Sequence, residues 1–168
     1  AMQQKNIPLP VHFIASAASA PFYRRTREPI HALPDNEFIA SLAKLNGTLP
    51  QVLSNPEIME LYLPALRADF KIVENYLNPN KNVLATQLTL FGGVLDVVIS
   101  PSELIGWKKL FEKTASVEWF EGDHFFINQS ENPLKCLNRI FAAEIKQQSL
   151  QKHTTINEDY FFAAGQMV

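Results

Sequence analysis

The sequence predicts an α/β protein, with about three parallel strands, flanking helices and a helical insertion between the first two strands. Three observations carry this. Short apolar runs alternate with segments of helical period along the whole chain. Those runs are rich in aliphatic and β-branched residues and end in turn signals. The stretch separating the first two runs is far longer than a simple crossover needs, which suggests a lid over a site.

Val11 to Ala17 reads as the first strand, buried on both faces as parallel strands are. Pro21 to Pro34 carries prolines and the cluster Arg24, Arg25, Arg27, and reads as a solvated loop. Asp35 is placed to cap a helix carrying Phe38, Ile39, Leu42 and Leu45, which Gly47 stops. Pro50 to Leu53 reads as one short turn. Asn55-Pro56-Glu57 opens the next helix as cap, first-turn proline and first-turn acid. Its apolar stripe runs to Tyr76, and Pro64 within it predicts a kink or break. The lid therefore spans about 35–77.

Val83 to Phe91 reads as the second strand, closed by Gly92-Gly93. Pro101-Ser102-Glu103 opens a helix, Ser116 to Phe120 is a third strand, and Gly122-Asp123-His124 a turn. Asn132-Pro133 starts a last helix with Leu134, Leu137, Ile140, Phe141 and Ile145 on one face. Residues 1–150 form one domain and 151–168 a tail. Tyr160, Phe161 and Phe162 are too apolar for a purely solvated tail, so it is expected to dock.

Composition narrows the function classes. With 46% apolar and 19% charged residues the chain is globular rather than disordered. A net charge of -2 gives no electrostatic case for nucleic acid or an anionic membrane surface, and no run of about 18 apolar residues suggests a span. Cys136 is the single cysteine, which excludes an internal disulfide and fits a small buried residue in a reducing, cytoplasmic setting. His12 falls inside a strand and reads as a satisfied core or edge residue. His31 lies near the lid and His153 in the tail. None is spaced with other ligands for a metal, and no cofactor motif is present.

In open parallel sheets, chemistry gathers at the carboxyl ends of the strands. Asp96 follows the second strand and His124 the third. Such a pair can work as orienter and base: the carboxylate fixes the imidazole tautomer, and the other nitrogen moves a proton at a serine or thiol. The alternative is that Asp96 caps its turn and His124 is merely exposed.

Several strings resemble the type II thioesterases, which edit acyl chains bound to carrier proteins in nonribosomal peptide and polyketide synthesis. Phe13-Ile14-Ala15-Ser16-Ala17-Ala18-Ser19-Ala20-Pro21 resembles their strand and "SG..AP" segment, and Leu33-Pro34-Asp35-Asn36-Glu37-Phe38 their "LPD.EF" lid entry. Leu45-Asn46-Gly47-Thr48-Leu49-Pro50 is similar to "LGGTP". Leu63-Pro64-Ala65-Leu66-Arg67-Ala68-Asp69-Phe70 is similar to "LP.LRADF", the most specific string. Gly92-Gly93-Val94-Leu95-Asp96-Val97-Val98-Ile99-Ser100 resembles "GG.DDPLVS", and Gly122-Asp123-His124-Phe125-Phe126 resembles "GGHFF". The matches keep family order from about Val11 to Phe141. The resemblance implies a partial α/β-hydrolase fold with Asp96 and His124 as triad members.

Departures matter too. Val97 replaces a proline. Asp123 replaces a glycine beside the histidine, where a carboxylate would raise the His124 pKa or compete with Asp96 for its proton. The family's Gly-x-Ser-x-Gly elbow and oxyanion-hole segment lie upstream of the matched region, and no such motif occurs in these residues. Ser16 and Ser19 lack the glycines that permit the strained turn, and Cys136 is wrongly placed for a nucleophile.

The resemblance thus implies hydrolysis of acyl thioesters on the phosphopantetheine of an acyl or peptidyl carrier protein. This chain is expected to be inactive alone, its serine coming from a longer chain or an N-terminal complementing piece. The alternative is a non-catalytic remnant or a carrier- or partner-binding module. An open edge at strand 11–17 predicts pairing with a second copy or a partner.

Overall fold

A computed structural model describes residues 7–23, 28–79 and 82–164, with side chains described to 150. The Arg24, Arg25, Arg27 cluster lies outside the described residues, as do the side chains of His153 and of the tail expected to dock.

Three strands form one sheet in the order β1-β2-β3: β1 is His12–Ser16, β2 Gln87–Gly93 and β3 Ser116–Phe120. Both pairings are parallel, with Ile14 opposite Thr89 and Phe91 opposite Glu118. Strands alternate with helices because each parallel pairing needs a crossover. The sheet is the predicted α/β arrangement.

The central strand explains the core. Leu88 and Leu90 of β2 are fully buried, and they pack with Ala15, Ile99, Leu104, Leu110 and Phe111. Phe91, Phe120 and Phe126 build a second cluster with Cys136 on the other side. Rings stack there: Phe120 and Phe126 lie 5.4 Å apart and nearly parallel. Cys136 is buried, as expected for a small apolar residue.

β1 differs from expectation. His12, Phe13 and Ile14 are only half-buried and Ser16 is exposed, so the strand is not covered on both faces. The physical reason is its place at an edge of the sheet. His12 is satisfied: its Nδ1 meets Glu144 at 2.8 Å and its Nε2 meets Thr89 at 2.9 Å. Ala17, just beyond the strand, sits at a φ of 46°, a left-handed conformation that costs a side chain roughly 1–2 kcal/mol.

The second strand also begins and ends later than read. Leu84 makes a single parallel bridge to Phe111, and Gly92 and Gly93 belong to the strand rather than closing it.

The insertion holds α1 (Asp35–Lys44), α2 (Pro50–Leu53) and α3 (Pro56–Asn75). It has its own small core of Phe38, Leu42 and Met59, with Leu66 and Phe70 packed against it. Pro34, not Asp35, is the cap of α1; Asp35 falls in the first turn, where its charge suits the helix dipole. Asn55 caps α3 by accepting from the Ile58 N–H, as its sequence requires. Pro64 neither breaks nor ends α3, which runs continuously through it. Flanking packing by Leu63, Leu66 and Phe70 against the insertion core offsets the lost Glu60 carbonyl partner. Arg67 ties the entry loop to α3, donating to the His31 carbonyl and to Asp35, each at 2.6 Å, while stacking on Phe38. Glu74 accepts from the Ile30 and His31 N–H groups and from His31 Nδ1.

Helix α4 (Pro101–Ile105) tightens into a 3-10 turn at Gly106–Leu110. A full capping box starts it, with Ser100 and Glu103 satisfying each other's backbone N–H. The last helix, α5 (Asn132–Ala164), extends beyond the expected tail boundary. Its apolar residues do not share one buried face. Cys136 is buried and Leu137 and Ile140 are half-buried, while Leu134, Phe141 and Ile145 form a second, exposed stripe. Among the described residues, no helix is long and apolar enough to cross a membrane.

Candidate active site

The turns after β2 and β3 meet at the carboxyl end of the sheet. Backbone bonds lock them together: Val94 N–H donates to the Phe120 carbonyl and Leu95 N–H to that of Gly122, both at 2.9 Å. Gly93 makes the approach possible. A Cβ there would lie 2.3 Å from the Asp123 carbonyl oxygen and 2.8 Å from that of Gly122.

This places Asp96 against His124. The Asp96 Oδ2 accepts from His124 Nδ1 at 2.9 Å. The other oxygen accepts from the Val98 and Ile99 N–H groups at 2.7 and 3.0 Å. Asp96 is therefore both a turn cap and the histidine's partner, so the two sequence readings are not exclusive. Its side chain is 5% exposed and that of His124 is 25% exposed. With the carboxylate restricted to accepting, Nδ1 carries the proton and Nε2 is the nitrogen left for proton transfer.

Asp123 does not compete for that proton. Its Oδ1 accepts from the Phe125 N–H at 2.8 Å and from Gln129 Nε2 at 2.7 Å, and its Oδ2 faces Asn46 Nδ2 at 3.3 Å. The Phe125 N–H, foremost, holds its carboxyl below the ordinary range; desolvation, the next largest effect, opposes this, and Asn46, Gln129 and the His124 charge add smaller lowering contributions.

His124 lines two cavities. One, of about 300 Å³, lies under the insertion and is walled by Leu42, Leu66, Phe70, Val98 and Phe125. The other, of about 560 Å³, lies between the loop after β1 and α3, walled by Ala18, Ser19, Tyr23, Tyr76 and Trp107. His124 and Val73 border both. Sequence reasoning placed the Asp–His pair but not this division, because cavity walls come from segments far apart in the chain. Ser19 is engaged elsewhere, donating to Glu103 at 3.2 Å. Among the described residues, no three His, Cys, Asp or Glu side chains converge as a metal site requires.

A parallel sheet with an Asp–His pair at its carboxyl end and helices inserted above it defines part of an α/β-hydrolase. The thioesterase domain family matches residues 2–143, and the chain belongs to that family. It is 36% identical over 130 residues to the gramicidin S biosynthesis protein GrsT of Aneurinibacillus migulanus, covering 77% of this chain and 51% of that protein. Among solved structures, it resembles ClbQ from the colibactin NRPS/PKS pathway, at a TM-score of 0.76 and 25% identity, over 84% of this chain and 61% of that one. It also resembles YbtT, a type II thioesterase from the yersiniabactin pathway, at a TM-score of 0.71 and 30% identity, over 82% and 56%. The chain thus spans about half the length of the relatives it matches.

Proposed function

We propose that this chain supplies the base half of a type II thioesterase, acting on acyl groups held as thioesters on a carrier protein's phosphopantetheine. The observation that carries the proposal is the Asp96–His124 pair at the junction of two cavities. A thioester has two arms of different chemistry. The smaller, leucine- and phenylalanine-walled cavity suits an acyl chain. The larger, with Tyr23, Tyr76 and Trp107 among its lining residues, suits the amide-bearing pantetheine arm.

His124 Nε2 would take the proton of an attacking serine as that oxygen bonds to the thioester carbonyl carbon. It would then hand the proton to the departing sulfur, releasing the pantetheine thiol. For the second half it would deprotonate a water that attacks the acyl-serine, returning the proton to the serine and freeing the carboxylic acid. Asp96 holds the ring in the required tautomer throughout.

No Gly-x-Ser-x-Gly stands in these residues, so the serine and its oxyanion donors come from a further segment, in the same or a second chain. The side of β1 that no strand pairs with among the described residues, and the apolar stripe of Leu134, Phe141 and Ile145 on α5, are the surfaces on which such a segment would seat. Hydrolysis of an acylated carrier protein is therefore expected when the chain is combined with the serine-bearing N-terminal half of a related thioesterase. It should vanish on His124→Ala. Absence of turnover in the combination, with the two pieces shown to associate, would favour a carrier-binding module instead.

A further inference from the structure

We infer that Asp123 and Asn46 form a latch that docks the insertion onto the histidine loop. Asn46 lies just past the Leu45 cap of α1 at a φ of 61°, a left-handed conformation that asparagine tolerates. That geometry turns its amide toward Asp123, 77 positions away, at 3.3 Å. The next residue, Gly47, lies against the Phe125 ring; a Cβ at Gly47 would come within 2.5 Å of Phe125 Cζ. Phe125 in turn meets the His124 ring edge-on at 5.2 Å.

The carboxylate joins the two sides. One oxygen organises the loop through the Phe125 N–H and Gln129, and the other reaches the insertion through Asn46. The thioesterase strings that these segments resemble, "LGGTP" and "GGHFF", have glycine at both places. This chain therefore has two polar side chains that meet each other where those motifs have none. Gly47, Leu45 and Thr48 wall the smaller cavity together with Phe125 and His124, so the latch closes one corner of it. Asp123 is a positioning residue in this account. Its low carboxyl pKa keeps the link intact as pH falls through the usual carboxylate range, about 4.

The reading of the cavity as an acyl site rests on the proposed function, whereas the latch does not. Amide hydrogen exchange on the intact chain separates them, since it needs no turnover. Asp123→Ala should raise exchange several-fold both at 122–129 and at the distant 45–48. Asn46→Gly keeps the backbone freedom at that position and should loosen 45–48 with little change at 126–129. Asp123→Asn, whose amide can still bond both partners once Asn46 rotates, should restore protection, while Gln129→Ala should act only within 122–129. Unchanged exchange at 45–48 in both Asp123→Ala and Asn46→Gly would overturn the latch.

Discussion

At the scale of the residue, the Asp96–His124 geometry sets the expectations. Asp96→Asn keeps an oxygen for the Val98 and Ile99 N–H groups but presents an amide to His124, which forces the other tautomer. The variant should fold, yet turnover by the combined enzyme should fall about 10³–10⁴-fold in kcat. Retained turnover would remove Asp96 from the mechanism. Ala17 offers a stability test. Glycine at its φ of 46° relieves a left-handed penalty of roughly 1–2 kcal/mol and loses roughly 0.5–1 kcal/mol of extra backbone entropy. Ala17→Gly should therefore stabilise by up to about 1.5 kcal/mol in urea denaturation. The Asp and His were legible because both directly follow strand patterns. The role of Asp123 was not, because its carboxylate answers to Asn46 and Gln129, which no local pattern links to it.

At the scale of the element, Gly93 and Pro64 make opposite predictions. Gly93→Ala drives a methyl group into the Asp123 and Gly122 carbonyls, so the β2 and β3 turns must part. Overpacking of this kind costs about 1–3 kcal/mol, and the His124–Asp96 bond should weaken with it, visible as loss of the downfield Nδ1 proton in NMR. Pro64→Ala restores an N–H for the Glu60 carbonyl inside a continuous α3 and should stabilise by about 2–3 kcal/mol on thermal or urea unfolding. The helix starts at Pro50, Pro56 and Pro101 were readable because proline and the preceding residue act locally. The unbroken α3 was not, because tertiary packing overrides the local cost of Pro64. Which part of the broad apolar face of α5 is covered was not legible, because helical period alone does not show where the sheet packs.

At the scale of the molecule, the sheet has two edges among the described residues; the β1 edge carries half-buried residues, and α5, tied to it by His12 and Glu144, carries an exposed apolar stripe. The number of strands, their parallel sense and the long insertion all followed from the alternation of apolar runs, whereas the incomplete cover of β1 depends on what lies beside it in space. The account's central claim is that His124, held by Asp96, is the base for a serine brought by another segment. Steady-state hydrolysis of an acylated carrier protein by this chain with the N-terminal half of GrsT tests it most directly. The account predicts turnover that is lost both on His124→Ala here and on serine-to-alanine replacement in the added half. Turnover that persists without His124, or a well-formed complex that hydrolyses nothing, would contradict it.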